Sequence, residues 1–482
     1  MAPADQSERV RYYLVVVRRN AAEVFFTLSE LGLSLPSVGV MPNRRIAPQL
    51  TEELKNRWRL QSYCLFVSGF GAANSDAQVE RYAVLESMEV NGEAPEGTRW
   101  VQRTLCTARA ASRLAHSELL GEALGQLDSH VRESITMPFG RPGWLRELFT
   151  WTQEHLSIVG LQLTGNFTQW NGSPTFSLIR LETNGRAAWF KATGEPNLHE
   201  LPITLCLAQL FPEYLPPILA VHRAWNGWLS QEVSDTTPGQ SVGLLEWEKT
   251  ARSLAELQIT SLGKCGMLID GQCKDLRIRT LTDMVPLFCA RAAELMAQQQ
   301  KQSPPPLTGN ELDFLARRLR EALLLLEDLG LPDTLGHLDF NPGNIVVCPA
   351  RCMFLDWAEA CVTNPLVTFE YLCEHVRRTF ARDSTALPRV SVAYLRPWTS
   401  LLSPTQLAKA LAVSPLIAVF TYALALGGLN TLEPRRSPAH LGYLRSLTRR
   451  MHVEAIRQAD ARSAAEWSSH SFKQLVPLRT LL

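Results

Sequence analysis

Apolar and polar residues follow two different periods along this chain. In the first half, short apolar runs bounded by turn residues predict strands at residues 12–17, 63–67 and 82–86. In the second half, leucines recur at the spacing of one helix face across residues 312–326, after a capping box formed by Thr308 and Glu311. The pattern predicts an α+β protein in which a strand-rich region precedes a mostly helical one.

Three Asn-Gly pairs mark hairpins in the middle of the chain: Asn171-Gly172, Asn184-Gly185 and Asn226-Gly227. Asn-Gly is a strong hairpin signal because both residues tolerate positive φ. Between the second and third pairs, apolar residues of the segment 201–210 can share one face of a helix. The predicted strands are residues 161–167, 176–183, 186–191, 217–223 and 228–232. Three strands, a helix and two strands are therefore expected within residues 151–235.

A polar loop follows the leucine-rich helix. It reads Gly336-His337-Leu338-Asp339-Phe340-Asn341-Pro342-Gly343-Asn344-Ile345. Pro342 and Gly343 force a non-helical turn, which allows Asp339 and Asn344 to point toward one place. Two short apolar runs then predict a small hairpin that ends at Asp356.

Two carboxylates and one amide at this spacing are the groups that metal-assisted phosphoryl transfer requires. Transfer of a γ-phosphoryl group needs an oriented hydroxyl acceptor and neutralised phosphate charge, with little covalent help from the protein. Asp339 is expected to orient the hydroxyl and accept its proton. Magnesium prefers hard oxygen ligands and keeps several waters, so Asn344 and Asp356 fit as its protein ligands. We interpret residues 336–357 as the catalytic loop of a kinase.

This loop resembles that of the aminoglycoside phosphotransferase and choline kinase superfamily, whose pattern is His-Gly-Asp-x-x-Pro-x-Asn, then a strand and Asp-Trp. The matching positions are His337, Asp339, Pro342, Asn344, Asp356 and Trp357. The chain departs from the pattern at Leu338, where Gly is usual, and at Asn341, where His is common. Neither departure removes a reacting group.

The resemblance implies a two-lobed protein-kinase-like fold that uses ATP and Mg²⁺. Residues 151–235 would form the five-stranded small lobe, and residues 236–482 the helical large lobe. Asp339 would be the catalytic base, with Asn344 and Asp356 binding the metal. His337 would brace the loop without reacting.

Lys191 ends the third predicted strand, where a superfamily member carries the lysine that contacts the nucleotide phosphates. Its expected partner is a carboxylate on the following helix. We predict Glu200 for this role. Glu195 is the second choice, because it follows Gly194 and precedes Pro196 and is therefore expected in the connecting loop.

No Gly-x-Gly-x-x-Gly sequence occurs between the first two predicted strands. Thr164-Gly165-Asn166 and Asn171-Gly172-Ser173 offer glycines and backbone amides for a phosphate cradle in that region. Many members of the superfamily also lack a strict glycine-rich loop. The missing Arg after His337 and the Asp356-Trp357-Ala358 in place of Asp-Phe-Gly argue against a protein kinase.

Residues 1–106 are predicted to form a separate α+β domain. The chain has 482 residues, which is longer than a single domain with one hydrophobic core usually is. This part vaguely resembles a Nudix-type fold at residues 81–86 and 97–101, but it lacks the Glu-rich metal box, so no chemistry is assigned to it. Residues 107–150 are expected to be a helical linker into the small lobe.

Composition limits the binding partners and the cellular compartment that we expect for this protein. A net charge of +1 gives no footprint for nucleic acid. Residues 411–426 are the most membrane-like stretch, but Ser414-Pro415 interrupts them, so we expect separate buried helices and no membrane partner. The cysteines show no zinc-site spacing, and the N-terminus shows no secretory signal. Reduced thiols in a cytoplasmic protein are the expected state.

Two functions from different classes stay open. The first is an ATP- and Mg²⁺-dependent phosphotransferase that acts on a hydroxyl of a small molecule. The second is a kinase-like nucleotide-binding or regulatory module with little or no catalysis. The enzyme is favoured because all of the polar positions it requires are present: Lys191, Glu200, Asp339, Asn344 and Asp356.

Overall fold

The computed structural model describes residues 9–30, 32–42, 44–68, 81–107, 116–233, 243–427 and 438–463. The chain divides into two compact units. The first comprises residues 1–201 and 217–232, and the second comprises residues 202–216 and 233–482. The first unit holds most of the strands, and the second holds most of the helices.

Seven strands of the first unit form a mixed sheet, which we call the front sheet. Its strands and the helices near them in sequence are β1 (Val10–Arg18), β2 (Glu23–Ser29), β3 (Gly32–Ser34), β4 (Ser37–Val40), α1 (Ile46–Trp58), β5 (Ser62–Val67), β6 (Arg81–Ser87), β7 (Thr98–Gln102), α2 (Arg103–Thr107), α3 (Ser117–Arg132) and α4 (Trp144–Ile158). The order is β3-β2-β1-β6-β5, with β4 paired to β1 and β7 to β2. Only β1 and β6 run parallel. The strands predicted from apolar runs are confirmed as β1, β5 and β6.

Alternate residues of β1 face opposite sides of the front sheet, as strand geometry requires. Leu14 and Val16 pack in one hydrophobic cluster with buried residues of α1. Val15 and Val17 belong to a second cluster with buried residues of α3 and α4. The front sheet is therefore the middle layer of an α/β/α arrangement. Its Nudix-like character stays a prediction.

A second sheet of the first unit has the strand order β11-β12-β10-β9-β8 and is antiparallel throughout. Its elements, with the helix between them, are β8 (Leu163–Gln169), β9 (Phe176–Thr183), β10 (Ala188–Thr193), α5 (Glu200–Leu210), β11 (Ile218–His222) and β12 (Gly227–Gln231). The predicted order of three strands, a helix and two strands is confirmed. Asn226 has a φ of 45°, as the Asn-Gly signal between β11 and β12 requires.

One hydrophobic cluster includes residues of both sheets. Leu145 and Leu148 of α4 lie in the same cluster as Val84 of the front sheet and Phe190 of the five-stranded sheet. The front sheet is therefore joined to the five-stranded sheet through α4, where the sequence led us to expect a separate domain and a linker. The proposed boundaries at residues 106 and 150 stay predictions. Within the predicted linker, residues 117–132 are helical, and residues 108–115 lie outside the described part of the chain.

The second unit is mostly helical. After the end of α5, its elements are α6 (Leu244–Thr260), α7 (Cys265–Asp270), β13 (Lys274–Leu276), α8 (Ile278–Ala297), α9 (Gly309–Asp328), β14 (Thr334–His337), β15 (Ile345–Val347), β16 (Cys352–Phe354), β17 (Ala360–Thr363), α10 (Pro365–Thr379), α11 (Ala386–Trp398), α12 (Pro404–Gly427) and α13 (Pro438–Ser463). The capping box predicted at the start of α9 is present, since Thr308 and Glu311 each accept the other's backbone N–H. The predicted small hairpin is β15 and β16.

Helix α12 corrects one prediction. The sequence predicted that Ser414-Pro415 separates two helices, but the helix is continuous from Pro404 to Gly427. Pro415 lacks the N–H that would bond to the oxygen of Leu411, and the Ser414 hydroxyl lies 3.1 Å from that oxygen. By length and composition, residues 404–426 could span a bilayer, and 67% of their most apolar window is buried within the protein.

Candidate active site

The predicted catalytic loop begins where β14 ends, in the second unit. His337 is the last residue of β14, and Pro342–Asn344 forms a short 3-10 helix directly before β15. Leu338 and Phe340 are buried on either side of Asp339, which is exposed. Burial of the two neighbours fixes the backbone and leaves the Asp339 carboxylate at the surface.

Two side-chain amides hold the Asp339 carboxylate. Asn341 Nδ2 donates to Asp339 Oδ1 at 2.9 Å, and Asn344 Nδ2 donates to Asp339 Oδ2 at 3.1 Å. Asn341 Oδ1 also accepts the Gly343 N–H at 2.9 Å, which closes the turn. Asn341, a departure from the superfamily pattern, therefore orients the candidate base.

His337 braces the loop from below. The backbone N–H of Asp339 donates to His337 Nδ1 at 3.2 Å, so that nitrogen carries no proton. Nε2 therefore carries the proton and donates to the oxygen of Leu355 at 3.0 Å. Burial lowers the pKa of His337, which keeps the ring neutral. The imidazole thus ties the loop to the chain segment that carries Asp356.

Asp356 is exposed and has a left-handed backbone, with φ 60° and ψ 67°. Asp is among the few residues other than Gly that tolerate this region. The Leu355 N–H donates to the oxygen of Asn344 at 2.8 Å, which fixes the segment beside the loop. On the other side, Trp357 is buried, and its Nε1 donates to the oxygen of Phe354 at 3.0 Å. The left-handed residue stands between two anchored neighbours.

The donor set of this loop suits a hard cation. Asn344 uses its Nδ2 toward Asp339, which leaves its Oδ1 as a possible ligand, and Asp356 offers a carboxylate. Within the described residues, no group of three or more His, Cys, Asp and Glu side chains could hold a metal ion. Two protein ligands are what Mg²⁺ commonly takes when phosphates supply other positions.

In the first unit, Lys191 and Glu200 form an ion pair. Lys191 lies on β10, and Glu200 is the first residue of α5 and is only 1% exposed. Lys191 Nζ also lies 5.9 Å from the ring centre of Phe176 and 5.7 Å from that of Trp228. Glu195, the second choice, precedes the start of α5.

The structure therefore assembles the predicted residues in two groups. Lys191 and Glu200 are together in the first unit. Asp339, Asn344 and Asp356 belong to one loop system in the second unit, with His337 beneath it. Their individual roles in phosphoryl transfer stay predictions.

Two tyrosines near this loop were missed by the sequence analysis. Tyr371 of α10 and Tyr422 of α12 have ring centres 5.4 Å apart. Burial raises the pKa of both phenols, and the charge of Asp339 contributes in the same direction. The Tyr371 hydroxyl is buried and has no hydrogen-bond partner among the residues that the structure describes. A tyrosine among the apolar residues of a helix is usually a core residue. The sequence therefore gave no signal that these two tyrosines lie near the predicted catalytic loop.

Two acidic residues of the segments that follow Asp356 are paired with basic residues. Glu359 forms an ion pair with Lys274. Glu374 contacts Arg378 at 2.7 Å and Arg450 at 3.4 Å. Neither carboxylate provides unbalanced negative charge.

Residues 241–402 match the family model described as "Phosphotransferase enzyme family". The match contains α6 to α11 and the whole predicted catalytic loop. We call residues 241–402 the phosphotransferase-family segment. The resemblance drawn from the loop motif is thereby confirmed for the phosphotransferase-family segment. No curated protein matches the chain.

Solved structures similar to this chain include two phosphotransferases. Macrolide 2′-phosphotransferase MphH from Brachybacterium faecium is 14% identical with a TM-score of 0.43, over 63% of this chain and 98% of that one. Choline kinase from Cryptosporidium parvum Iowa II is 11% identical with a TM-score of 0.43, over 68% of this chain and 94% of that one. Because these TM-scores are low, the assignment depends on the phosphotransferase-family segment and on the geometry of its loop.

Proposed function

We propose that this protein is an ATP- and Mg²⁺-dependent phosphotransferase that transfers the γ-phosphoryl group to a hydroxyl of a small molecule. The observation that carries the proposal is the exposed Asp339 carboxylate, held by donated hydrogen bonds from Asn341 and Asn344. It occurs in the catalytic loop of a phosphotransferase-family segment. Phosphoryl transfer requires a carboxylate that is oriented to accept the proton of the acceptor hydroxyl.

Asp339 acts as the base in this mechanism. An acceptor hydroxyl donates to the Asp339 carboxylate, and its oxygen attacks the γ-phosphorus as the proton passes to Asp339, while the bond from the γ-phosphorus to the bridging oxygen breaks and ADP leaves. The two amides keep the carboxylate in one orientation through the step. His337 holds the loop backbone and stays neutral, so it takes no part in proton transfer.

The donor side uses the remaining polar residues. Lys191 would contact phosphate oxygens, and its ion pair with Glu200 holds the ammonium in place. Asn344 Oδ1 and the Asp356 carboxylate would hold Mg²⁺, which would supply neutralisation of phosphate charge.

Two tyrosines indicate the class of acceptor. Tyr371 and Tyr422 lie near enough to Asp339 for its charge to act on their phenols. Aromatic rings favour an apolar ligand face, and the Tyr371 hydroxyl offers a buried hydrogen-bonding group. The acceptor class we propose is a hydroxyl compound with an apolar face.

Two variants test this function. Asp339→Asn is expected to reduce ADP release in a panel of hydroxyl compounds by about 10² to 10⁴-fold, the usual contribution of a general base. It should retain the thermal stabilisation that ATP and Mg²⁺ give the wild type. Asp356→Ala is expected to lose that stabilisation. Asp313→Asn, an exposed Asp→Asn change on α9, is the matched control.

The outcomes separate the two functions left open by the sequence. Nucleotide binding without turnover of any acceptor, unchanged by Asp339→Asn, would establish the binding module instead. Absence of nucleotide binding by the wild type would exclude both. Turnover that favours acceptors with an apolar face over polar sugars supports the proposed acceptor class.

A further inference from the structure

The turn between β8 and β9, residues 170–175, packs against the front sheet. Under the proposed function, this turn lies where the nucleotide phosphates would be cradled, between the first two strands of the small lobe. Both the turn and the front sheet belong to the first unit. Two contacts join the start of the turn to Cys64 on β5 of the front sheet, and two more join the turn to Arg45 and Phe139, which lie outside the strands of that sheet.

The first contact is a two-way hydrogen bond at the start of the turn. The Cys64 N–H donates to Gln169 Oε1 at 2.7 Å, and Gln169 Nε2 donates to the Cys64 oxygen at 2.7 Å. Cys64 lies on β5, an edge strand of the front sheet, and Gln169 ends β8, an edge strand of the five-stranded sheet. The Gln169 side chain is buried and pairs with β5 as a neighbouring strand would.

The second contact is the closest. A Cβ added at Gly172 would lie 2.5 Å from Cys64 Sγ and 3.1 Å from Cys64 Cβ. A side chain at this position would require the Cys64 sulfur, the turn or β5 to shift. Gly172 is therefore required by the approach of the front sheet, in addition to any part its backbone takes in phosphate binding.

Two further contacts fix the ends of the turn. The guanidinium of Arg45, at the start of α1, lies 5.3 Å from the Trp170 ring centre. The Phe139 N–H donates to the Pro174 oxygen at 3.1 Å. Phe139 itself is buried in the cluster that includes α3 and α4.

The other side of the turn reaches the candidate phosphate-binding lysine. Phe176 directly follows the turn, and its ring centre is 5.9 Å from Lys191 Nζ. Asn171 braces the turn, since its Oδ1 accepts the Leu178 N–H at 2.5 Å. A shift of the turn away from the front sheet would therefore also move the surroundings of Lys191.

We propose that the front sheet positions the nucleotide-phosphate turn, with Gln169 and Gly172 as positioning residues that contact β5 at Cys64. The front sheet then sets nucleotide affinity without touching the nucleotide. This inference rests on the proposed function. It gives a role to the part of the chain that precedes the phosphotransferase-family segment and to which no chemistry was assigned.

A double-mutant cycle tests the proposal in the full-length protein, with ADP and Mg²⁺ as the probe in calorimetric titration. Gly172→Ala should raise the Kd for ADP by roughly tenfold or more, because small displacements at a phosphate site are costly. Cys64→Ala alone should stay close to wild type. The combined variant removes the clashing sulfur and should recover most of the lost affinity. The matched control is Gly125→Ala, where an added Cβ meets nothing within 4 Å.

Kinetics supply a second readout. With ATP as the varied substrate, Gly172→Ala should raise the KM for ATP and leave the KM for the acceptor unchanged, and Cys64→Ala should reverse the rise. If Gly172→Ala does not fold, as judged by circular dichroism, Gln169→Ala replaces it. Gln169→Ala is expected to weaken ADP binding in the same way.

The outcomes are distinct. If Gly172→Ala weakens ADP binding equally with and without Cys64→Ala, the added methyl acts on the nucleotide directly and the positioning role is overturned. Folded Gln169→Ala with wild-type ADP affinity also overturns it. Absence of ADP binding by the wild type would overturn the proposed function and this inference together.

Discussion

The ion pair between Lys191 and Glu200 predicts that the stability of the protein depends on keeping both charges together. The Glu200 side chain is 2% exposed and that of Lys191 is 13% exposed, so the carboxylate has lost most of its hydration. Lys191→Met should remove the ammonium that faces this buried carboxylate and lower the free energy of unfolding by about 3 to 5 kcal/mol, measured with denaturant. Lys191→Met combined with Glu200→Leu should recover most of that loss. Equal destabilisation in the single and double variants would show that lost packing, not the buried charge, lowers the free energy of unfolding.

The buried His337 predicts a pH dependence of stability. Burial lowers its pKa below the usual 6.5, so below about that pH the unfolded chain binds a proton that the folded chain does not. The stabilising contribution of His337 is present above its unfolded pKa and is lost as the pH falls toward the folded pKa. The free energy of unfolding of the wild type should fall more steeply below about pH 6.5 than that of His337→Gln. Parallel pH profiles would contradict a neutral buried imidazole.

Helix α12 shows how an element can persist across a proline. Burial raises the pKa of Glu370, and Ser414 Oγ lies 2.6 Å from Glu370 Oε1 and 3.1 Å from the Leu411 oxygen. The Ser414 hydroxyl is within donating distance of both Glu370 Oε1 and the carbonyl that Pro415 leaves without its helical N–H. Ser414→Ala should therefore lower the free energy of unfolding by about 1 to 3 kcal/mol.

Thr421→Val is the matched control for that prediction. The Thr421 hydroxyl donates to the Ile417 oxygen at 2.8 Å, but that oxygen also accepts the helical N–H of residue 421. Its loss should cost less than the loss of the Ser414 hydroxyl. If the two variants are equally stable in thermal and denaturant unfolding, the Ser414 hydroxyl does not replace the missing N–H.

Elements with local signals could be predicted from the sequence, and those that depend on distant partners could not. The capping box of α9 and the turn at Pro342 and Gly343 are written in adjacent residues, so both were predicted. The continuity of α12 depends on Ser414, whose effect requires the fold around it. The role of the Asn341 amide could not be predicted either. Its hydrogen bond to Asp339 depends on the conformation of the turn, which the structure shows.

At the scale of the whole molecule, the contact between the turn at residues 170–175 and the front sheet was beyond reach of the sequence. Its hydrogen bonds join Cys64 and Gln169, which are 105 positions apart. Such a pairing leaves no periodic pattern in the sequence. A single Gln at the end of a strand also has several ordinary structural explanations, so it does not indicate a distant partner. The same holds for the hydrophobic cluster that includes both sheets of the first unit.

That cluster predicts how the first unit unfolds. Leu148 of α4 is fully buried among residues of both sheets, so Leu148→Ala should destabilise the unit by about 2 to 5 kcal/mol. Hydrogen exchange followed by mass spectrometry should then show β1 and β6 losing protection together with β9 and β10. Ile158→Ala, at an 81% exposed position of the same helix, should change neither sheet. Loss of protection in only one sheet would mean that residues 1–106 form an independent domain, and the front sheet would then be a less effective support for the nucleotide turn.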